Sequence, residues 1–330
     1  MKINTLFCYI LSCIIGFISC SKKTDSPGQL TVTPKPDTLT SGWSKVVVDT
    51  SENLTDIFFV NPTTGYLAGK SCYKSINGGA TWIKTMYPSN SIANLSLTPD
   101  GKLFAVNLRD SIFKTIDGGA SFTSFKTNSS GISDIFFVDN NTGYAVYLNG
   151  LLQTTNGGIS WTIVTPSTGL AGSGEYSSIF FINSTTGWIS RGFSIYKTNG
   201  NINNWVRSSL TGSSSSGIGG IIFLYAVSSS LVYAGVSNGE IYKSIDGGII
   251  FSKVATLSPV SQYGDVDLHF LDANNGYACA GSRIYKTADG GITWLPVVSL
   301  GTGSFVEIHF TDLNNGWGCT TGGSVLRFHQ

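Results

Sequence analysis

The sequence predicts an all-β chain closed into a seven-bladed β-propeller, and three observations lead there. A glycine-rich hairpin motif recurs at a spacing of about 40 residues, the range in which self-similarity marks propeller blades. A second strand-turn-strand motif precedes each copy. The last repeat lacks one strand, and a matching segment stands near the start of the chain.

The chain opens with Lys2 and an uncharged apolar run, Leu6 to Ile18, that ends in Phe17-Ile18-Ser19-Cys20. A membrane span needs about 20 apolar residues, so residues 1–19 read as a signal peptide. A small residue immediately before a cysteine suits lipidation of Cys20, and in this the segment resembles a bacterial lipoprotein precursor. Ordinary secretion with an incidental cysteine is the other reading. Residues 20–42 carry Pro27, Pro34, Pro36 and many Ser and Thr, a composition that buries little and predicts a flexible tether. Folding is expected to begin at Trp43, with residues 43–330 forming the propeller. The expected location is membrane-anchored, facing the periplasm or the cell surface.

Only 12% of residues are charged, against about a quarter in an average domain. Lys plus Arg (20) nearly balances Asp plus Glu (19), so electrostatics favour neither nucleic acid nor an anionic membrane surface as partner. Of six cysteines, Cys8 and Cys13 fall in the leader and Cys20 would carry the lipid. The remaining three, Cys72, Cys279 and Cys319, cannot all pair, and the last two occupy one column of adjacent repeats, too far apart for a disulfide. All three are read as packed thiols.

Five hairpin segments align without gaps: Tyr73 to Trp82, Phe113 to Phe122, Leu152 to Trp161, Tyr242 to Phe251 and Tyr285 to Trp294. Each has Asn or Asp followed by Gly-Gly at its centre: Asn77, Asp117, Asn156, Asp246 and Asp289. Such a centre supplies the positive φ of a tight turn and a side chain that bonds backbone N–H groups across it. These residues are therefore turn-formers with no catalytic role. A sixth segment, Tyr196 to Trp205, keeps the aromatic ends without the Asp-Gly-Gly centre. Upstream elements start at residues 57, 95, 135, 179, 221, 268 and 308, clearest in Ile57 to Tyr66, Ile135 to Tyr144 and Ile308 to Trp317. Together they give seven four-stranded blades. The seventh stops at Val325-Leu326-Arg327-Phe328 without a fourth strand, and Trp43 to Val48 resembles the strands that follow the other boxes.

The pairing of Phe-x-Asp-x-x-x-Gly-Tyr/Trp with Tyr-Lys-Thr-x-Asp-Gly-Gly-x-Thr-Trp resembles the Asp-box, or bacterial neuraminidase repeat, propellers, and within them the photosystem II stability/assembly factor-like family. The resemblance covers nearly the whole chain after residue 43. It implies a factor that holds a protein partner, in the photosynthetic members a membrane-protein intermediate. The fold also hosts sialidases and other glycoside hydrolases, so a glycan-binding or sialidase-like propeller is the alternative. The mature chain has five arginines and no Arg-Ile-Pro opening, and only Glu175-Tyr176 sets a Glu beside a Tyr. The expectation is a non-catalytic scaffold without cofactor or metal.

Propeller geometry places the residue before each inner strand at one mouth of the channel: Asp56, Asn94, Asp134, Ser178, Gly220, Asp267 and Glu307. The loops between second and third strands reach the same face and carry Lys70, Arg109, Arg191 and Arg283. Loops that vary on a rigid scaffold are where binding usually resides, so these four cations and the acids Asp56, Asp134, Asp267 and Glu307 form the expected binding set. A merely solvated loop face is the bland alternative. His269 and His309 share a column otherwise filled by Phe58, Phe136 and Phe180 and are expected to pack close together without metal.

Overall fold

The computed structural model describes residues 37–85, 92–127, 131–166, 170, 175–198, 200–212, 220–257 and 266–330. The leader, Cys20 and most of the expected tether lie outside the described residues. Seven antiparallel sheets, without a helix among the described residues, form the seven blades. Blade one is Asp56–Phe59, Gly65–Ala68, Tyr73–Ser75 and Ile83–Lys84, paired in chain order from the inside out. The other inner strands are Asn94–Leu97, Ile132–Phe137, Tyr176–Asn183, Ile221–Ala226, Val266–Phe270 and Phe305–Asp312.

The ring closes as the repeat count predicts. Trp43–Val47 pairs antiparallel with Ser324–His329, Trp43 opposite Phe328 and Val47 opposite Ser324, and so supplies the fourth strand of blade seven. Pairing begins earlier than Trp43, however. Thr38–Leu39 adds a fifth strand to blade six, Leu39 opposite Val298, within the stretch expected to be a tether. Asp37 secures it by accepting from Lys45 Nζ and from the Gly301 N–H, both at 2.8 Å. Blade five gains a fifth strand too, Ser209–Thr211, running parallel to Ile250–Ser252.

Two aromatic contacts explain the motifs. In blades one, three and six the inner-strand Phe lies edge-on to the closing Trp of its own blade: Phe59 to Trp82 at 5.7 Å and 83°, Phe137 to Trp161 at 5.8 Å and 85°, Phe270 to Trp294 at 6.0 Å and 78°. Toward the preceding blade, the same ring stacks on the second-strand aromatic: Phe59 on Trp317 at 3.5 Å, Phe137 on Phe104 at 4.0 Å, Phe310 on Tyr277 at 3.9 Å. Each ring thereby joins its own hairpin to the neighbouring blade, where offset and edge-on pairs add to simple burial. The Gly of each Gly-Tyr/Trp pair makes room for it, since a Cβ on Gly65 would come within 2.6 Å of the Phe59 ring and one on Gly143 within 2.7 Å of Phe137.

The box turns form as the spacing predicts, with the glycine pair carrying the positive φ, 70° and 97° at Gly118 and Gly119. Asp117 Oδ1 accepts the Ser121 N–H at 2.9 Å, and its other oxygen accepts the Ser121 hydroxyl at 2.6 Å. Asn77 does the same work, accepting the Thr81 N–H at 3.0 Å and donating its amide to the Thr81 hydroxyl at 2.8 Å. Asn156, Asp246 and Asp289 repeat the pattern. Cys72, Cys279 and Cys319 are buried thiols outside any disulfide. Burial raises the Cys72 thiol to about 11.

One register differs from expectation. In blade five Tyr225 pairs with Tyr233, as Phe58 pairs with Tyr66, so Leu224 rather than Ile221 aligns with Ile57. Phe223, not Gly220, then holds the position of Asp56. The apolar run Ile221-Ile-Phe-Leu-Tyr225 contains no residue that marks its register.

Candidate functional site

Backbone bonds between loops define two faces. On the first, the segment entering each inner strand bonds the loop between the second and third strands of the preceding blade: Ile92 N–H to the Gly69 carbonyl, Leu257 to Gly239, Phe305 to Gly281, each at 2.8 Å. Gly131 reaches Arg109 in the same way at 2.7 Å. On the second face, box turns bond the inner hairpin turns, as Gly78 N–H to Thr63 and Gly247 to Ser230, both at 2.8 Å.

The four predicted cations stand on the first face. Lys70 is exposed, with its ammonium on the Ser51 carbonyl at 3.1 Å and its backbone N–H on the buried Glu52 carboxylate at 2.8 Å. Arg109 is exposed in the loop between Leu103–Val106 and Ser111–Thr115. Arg191 is tied down, donating to the Leu170 carbonyl at 2.7 Å and lying 4.9 Å over the Tyr176 ring. Arg283, half-buried, opens the strand Arg283–Thr287.

The four acids do something the sequence reading did not assign. Three of them clasp the inner strand of the next blade through their side chains. Asp56 accepts the Leu95 N–H. Asp134 accepts Ile135 and, across the blade gap, Ile179, both at 2.8 Å. Asp267 accepts Leu268 at 2.7 Å and Ile308 at 2.8 Å. Ser178 takes the equivalent Leu224 N–H at 3.2 Å, and Glu307 shares a hydrogen bond with Asp56 across the seam between blades seven and one. Burial pushes Asp56 up to about 6 and Asp134 to about 7, and Glu307 rises well above the carboxylate range under burial and the Asp56 charge. The repeated column gave their location, while the clasp depends on a neighbour some forty residues away.

Below them, six rings encircle the channel in unbroken sequence. Phe136 meets Phe180 at 4.9 Å, Phe180 meets Tyr225 at 5.3 Å, Tyr225 meets His269 at 5.4 Å, His269 meets His309 at 5.0 Å, and His309 meets Phe58 at 4.5 Å. The two histidines are neighbours, as expected from their shared column. Burial lowers both, His309 to about 4, so they are neutral rings at ordinary pH. Among the described residues no group of three His, Cys, Asp or Glu side chains could hold a metal ion. At blade two the circle is interrupted, because Ser96 stands in the column of Phe58. The inner strands enclose a cavity of about 610 Å³.

The second face has a feature that sequence reasoning passed over. Box residues Ile76, Ile116, Ile159, Ile245, Ile249 and Ile292 are each at least 60% exposed. The signal was present in the columns flanking the Asp-Gly-Gly centre, where isoleucine recurs without a burial role.

The fold places the chain among seven-bladed β-propellers. No family model matches it, and no curated protein does. Solved structures share the ring. YCF48 from Cyanidioschyzon merolae is 18% identical at a TM-score of 0.69, covering 88% of this chain and 99% of that one. YCF48 bound to D1 peptide is 17% identical at 0.70, covering 89% and 99%. Virginiamycin B lyase from Staphylococcus aureus is 9% identical at 0.72, covering 87% and 99%. At such identities the likeness is one of fold, and a fold does not by itself set a function.

Proposed function

We propose that this chain is a lipid-anchored, extracytoplasmic binding scaffold that holds a protein partner on its first face and performs no chemistry. The observation that carries the reading is how the reactive side chains are used. Asp56, Asp134 and Asp267 clasp neighbouring blades, and the box residues Asp117, Asp246 and Asp289 hold their own turns. What varies from blade to blade and faces solvent is the loop face with Lys70 and Arg109. A propeller of the same fold with a bound peptide, YCF48 with D1 peptide, supports a protein rather than a glycan as the partner. A lipid on Cys20 would hold the chain at the membrane in which such a partner sits.

The test is capture from solubilised membranes by the wild-type protein and by Lys70→Ala/Arg109→Ala. An exposed charge contributes up to about 1 kcal/mol, so the double variant should fold normally and bind the captured partner about fivefold more weakly or worse. Undiminished capture would remove the cations from the binding surface. A glycan array that retains the protein while no protein is captured would replace the scaffold reading with the glycan one. Separately, Cys20→Ala should move the protein from the membrane to the soluble fraction; its retention through detergent-free washing would remove the lipid anchor.

A further inference from the structure

The channel is closed by aromatic rings on every blade but one, and the interruption coincides with a second irregularity. Asn94 stands at blade two in the column of Asp56 and Asp134. Its counterparts bond the inner strand of the following blade. Asn94 does not, because Asp134 has taken the Ile135 N–H with its own carboxylate, and the buried Asn94 Oδ1 is left without a hydrogen-bond partner. An acceptor with no donor inside a fold carries an unrecovered desolvation cost, which a ligand that supplies the donor recovers. Directly below Asn94, Ser96 leaves the space that Phe58 and Phe136 fill in the flanking blades.

The surroundings define what fits. Three carboxyl groups, Asp134, Asp267 and Glu307, line the cavity, and no Lys or Arg does. The two lining histidines are held neutral by burial. Aromatic rings of Phe58, Phe136 and Phe180 border the same space. The two Asp134 oxygens, each accepting one backbone N–H, retain acceptor capacity, and ring faces attract cations best when water is excluded. A small hydrated metal ion gains little from ring faces and finds no ready set of ligands, whereas an organic cation uses rings and acceptors together. The volume lies within the usual range for small-ligand sites, about 300–1,000 Å³.

We propose that the channel gap at blade two, formed by Asn94 and Ser96 between Phe58 and Phe136, is a binding site for an organic cation, an alkylguanidinium or alkylammonium group such as ends an arginine or lysine side chain. The Asn94 Oδ1 accepts from the cation, the lining carboxyls balance its charge, and the neighbouring rings cover its alkyl portion. This site is separate from the exposed cations of the loop face and does not depend on them. Bound charge favours the ionised form of Asp134, so binding near pH 7 releases protons.

The experiment is isothermal titration of the full chain with n-butylguanidinium chloride, and with uncharged N-butylurea as the shape-matched control, in two buffers of different ionisation enthalpy at pH 7. The expected result is binding of the guanidinium with proton release, and at least tenfold weaker binding of the urea. Ser96→Phe restores the ring that Phe58, Phe136 and Phe180 make in other blades and should lower guanidinium affinity at least tenfold. Asn94→Leu, which removes the free acceptor at a different point, should do the same and serves if Ser96→Phe folds poorly. Equal binding of the urea, unchanged affinity in a folded variant, or no binding at millimolar guanidinium would each overturn the proposal.

Discussion

Trp43 meets Phe310 edge-on, ring centroids 6.2 Å apart at 77°, although the two belong to opposite ends of the chain. That is the relation Trp82 has to Phe59 and Trp161 to Phe137 inside single hairpins. The N-terminal strand therefore completes blade seven through the same contact that builds the other blades.

Trp43→Ala should lower stability by about 3–5 kcal/mol, as for other buried Trp truncations. Removing residues 1–36 should leave the melting temperature unchanged. Removing 1–42 should lower it modestly, through loss of the Leu39 pairing and the half-exposed Asp37 bonds, and removing 1–49 should lower it most by baring the edge of blade seven. Alkylation of Cys279 and Cys319, both buried beside that seam, reports opening directly and should accelerate only in the longest truncation.

Trp317 donates its indole N–H to the Gly78 carbonyl at 3.0 Å, from the last blade to the first box turn, while its ring stacks on Phe59. Trp188 and Tyr233 make the same reach to Gly247 and Gly290. Trp317→Phe keeps a stacking ring and removes the donor, and should cost about 1–3 kcal/mol in a denaturant titration. An unchanged midpoint in Trp317→Phe would show that the bond contributes nothing beyond the ring.

The box carboxylates titrate in a fixed direction. Hydrogen bonds from the Thr293 hydroxyl and N–H hold Asp289 at about 2, below its ordinary 3.8. A depressed carboxylate adds stability that is present above the ordinary value and is lost as pH falls toward 2. Asn77 and Asn156 make the same turn without a charge, so Asp289→Asn should keep neutral-pH stability and flatten the acid limb between pH 4 and 2. Asp289→Ala should instead lower the midpoint at every pH.

The channel contains two opposed titrations. Asp134, raised to about 7, adds stability that is present below its ordinary 3.8 and is lost as pH rises toward 7; Asp56 and Glu307 act in the same sense. His309, lowered to about 4 from 6.5, adds stability that is present above 6.5 and is lost as pH falls toward 4, and His269 follows it. The two trends offset each other between pH 4 and 7. His309→Phe, the residue of blades one, three and four, should expose the carboxyl trend, with stability falling as pH rises. Asp134→Asn should expose the opposite slope. Midpoints in urea at pH 4.5, 5.5 and 6.5 separate them, and parallel slopes in both variants would refute the assignment.

Much of this was legible because tandem repeats supply their own templates. Trp43 could be placed in blade seven by comparison with Trp161 and Trp294, and His269 beside His309 by a shared column. Blade five was misread by three residues because an unbroken apolar run has no alternation to fix which side chain points inward. The clasps by Asp56, Asp134 and Asp267 were not legible, since a carboxylate that accepts a backbone N–H of the next blade leaves no mark on the identity of that next residue. Arg191 was seen as a free cation for the same reason, its partner being the Leu170 carbonyl.

Because Trp43–Val47 pairs with Ser324–His329, the ring cannot shut until both segments and the six blades between them have been synthesised. Trp43–Val47 must wait, unpaired, while six blades assemble behind it, and joins only when Ser324–His329 emerges. Contacts between such distant segments form slowly, and an incomplete ring presents open strand edges at both ends that can pair with other chains. The vulnerable period in the life of this protein is thus its birth, and a chain stalled or clipped between Phe305 and His329 would be an adhesive open ring rather than a slightly shortened propeller.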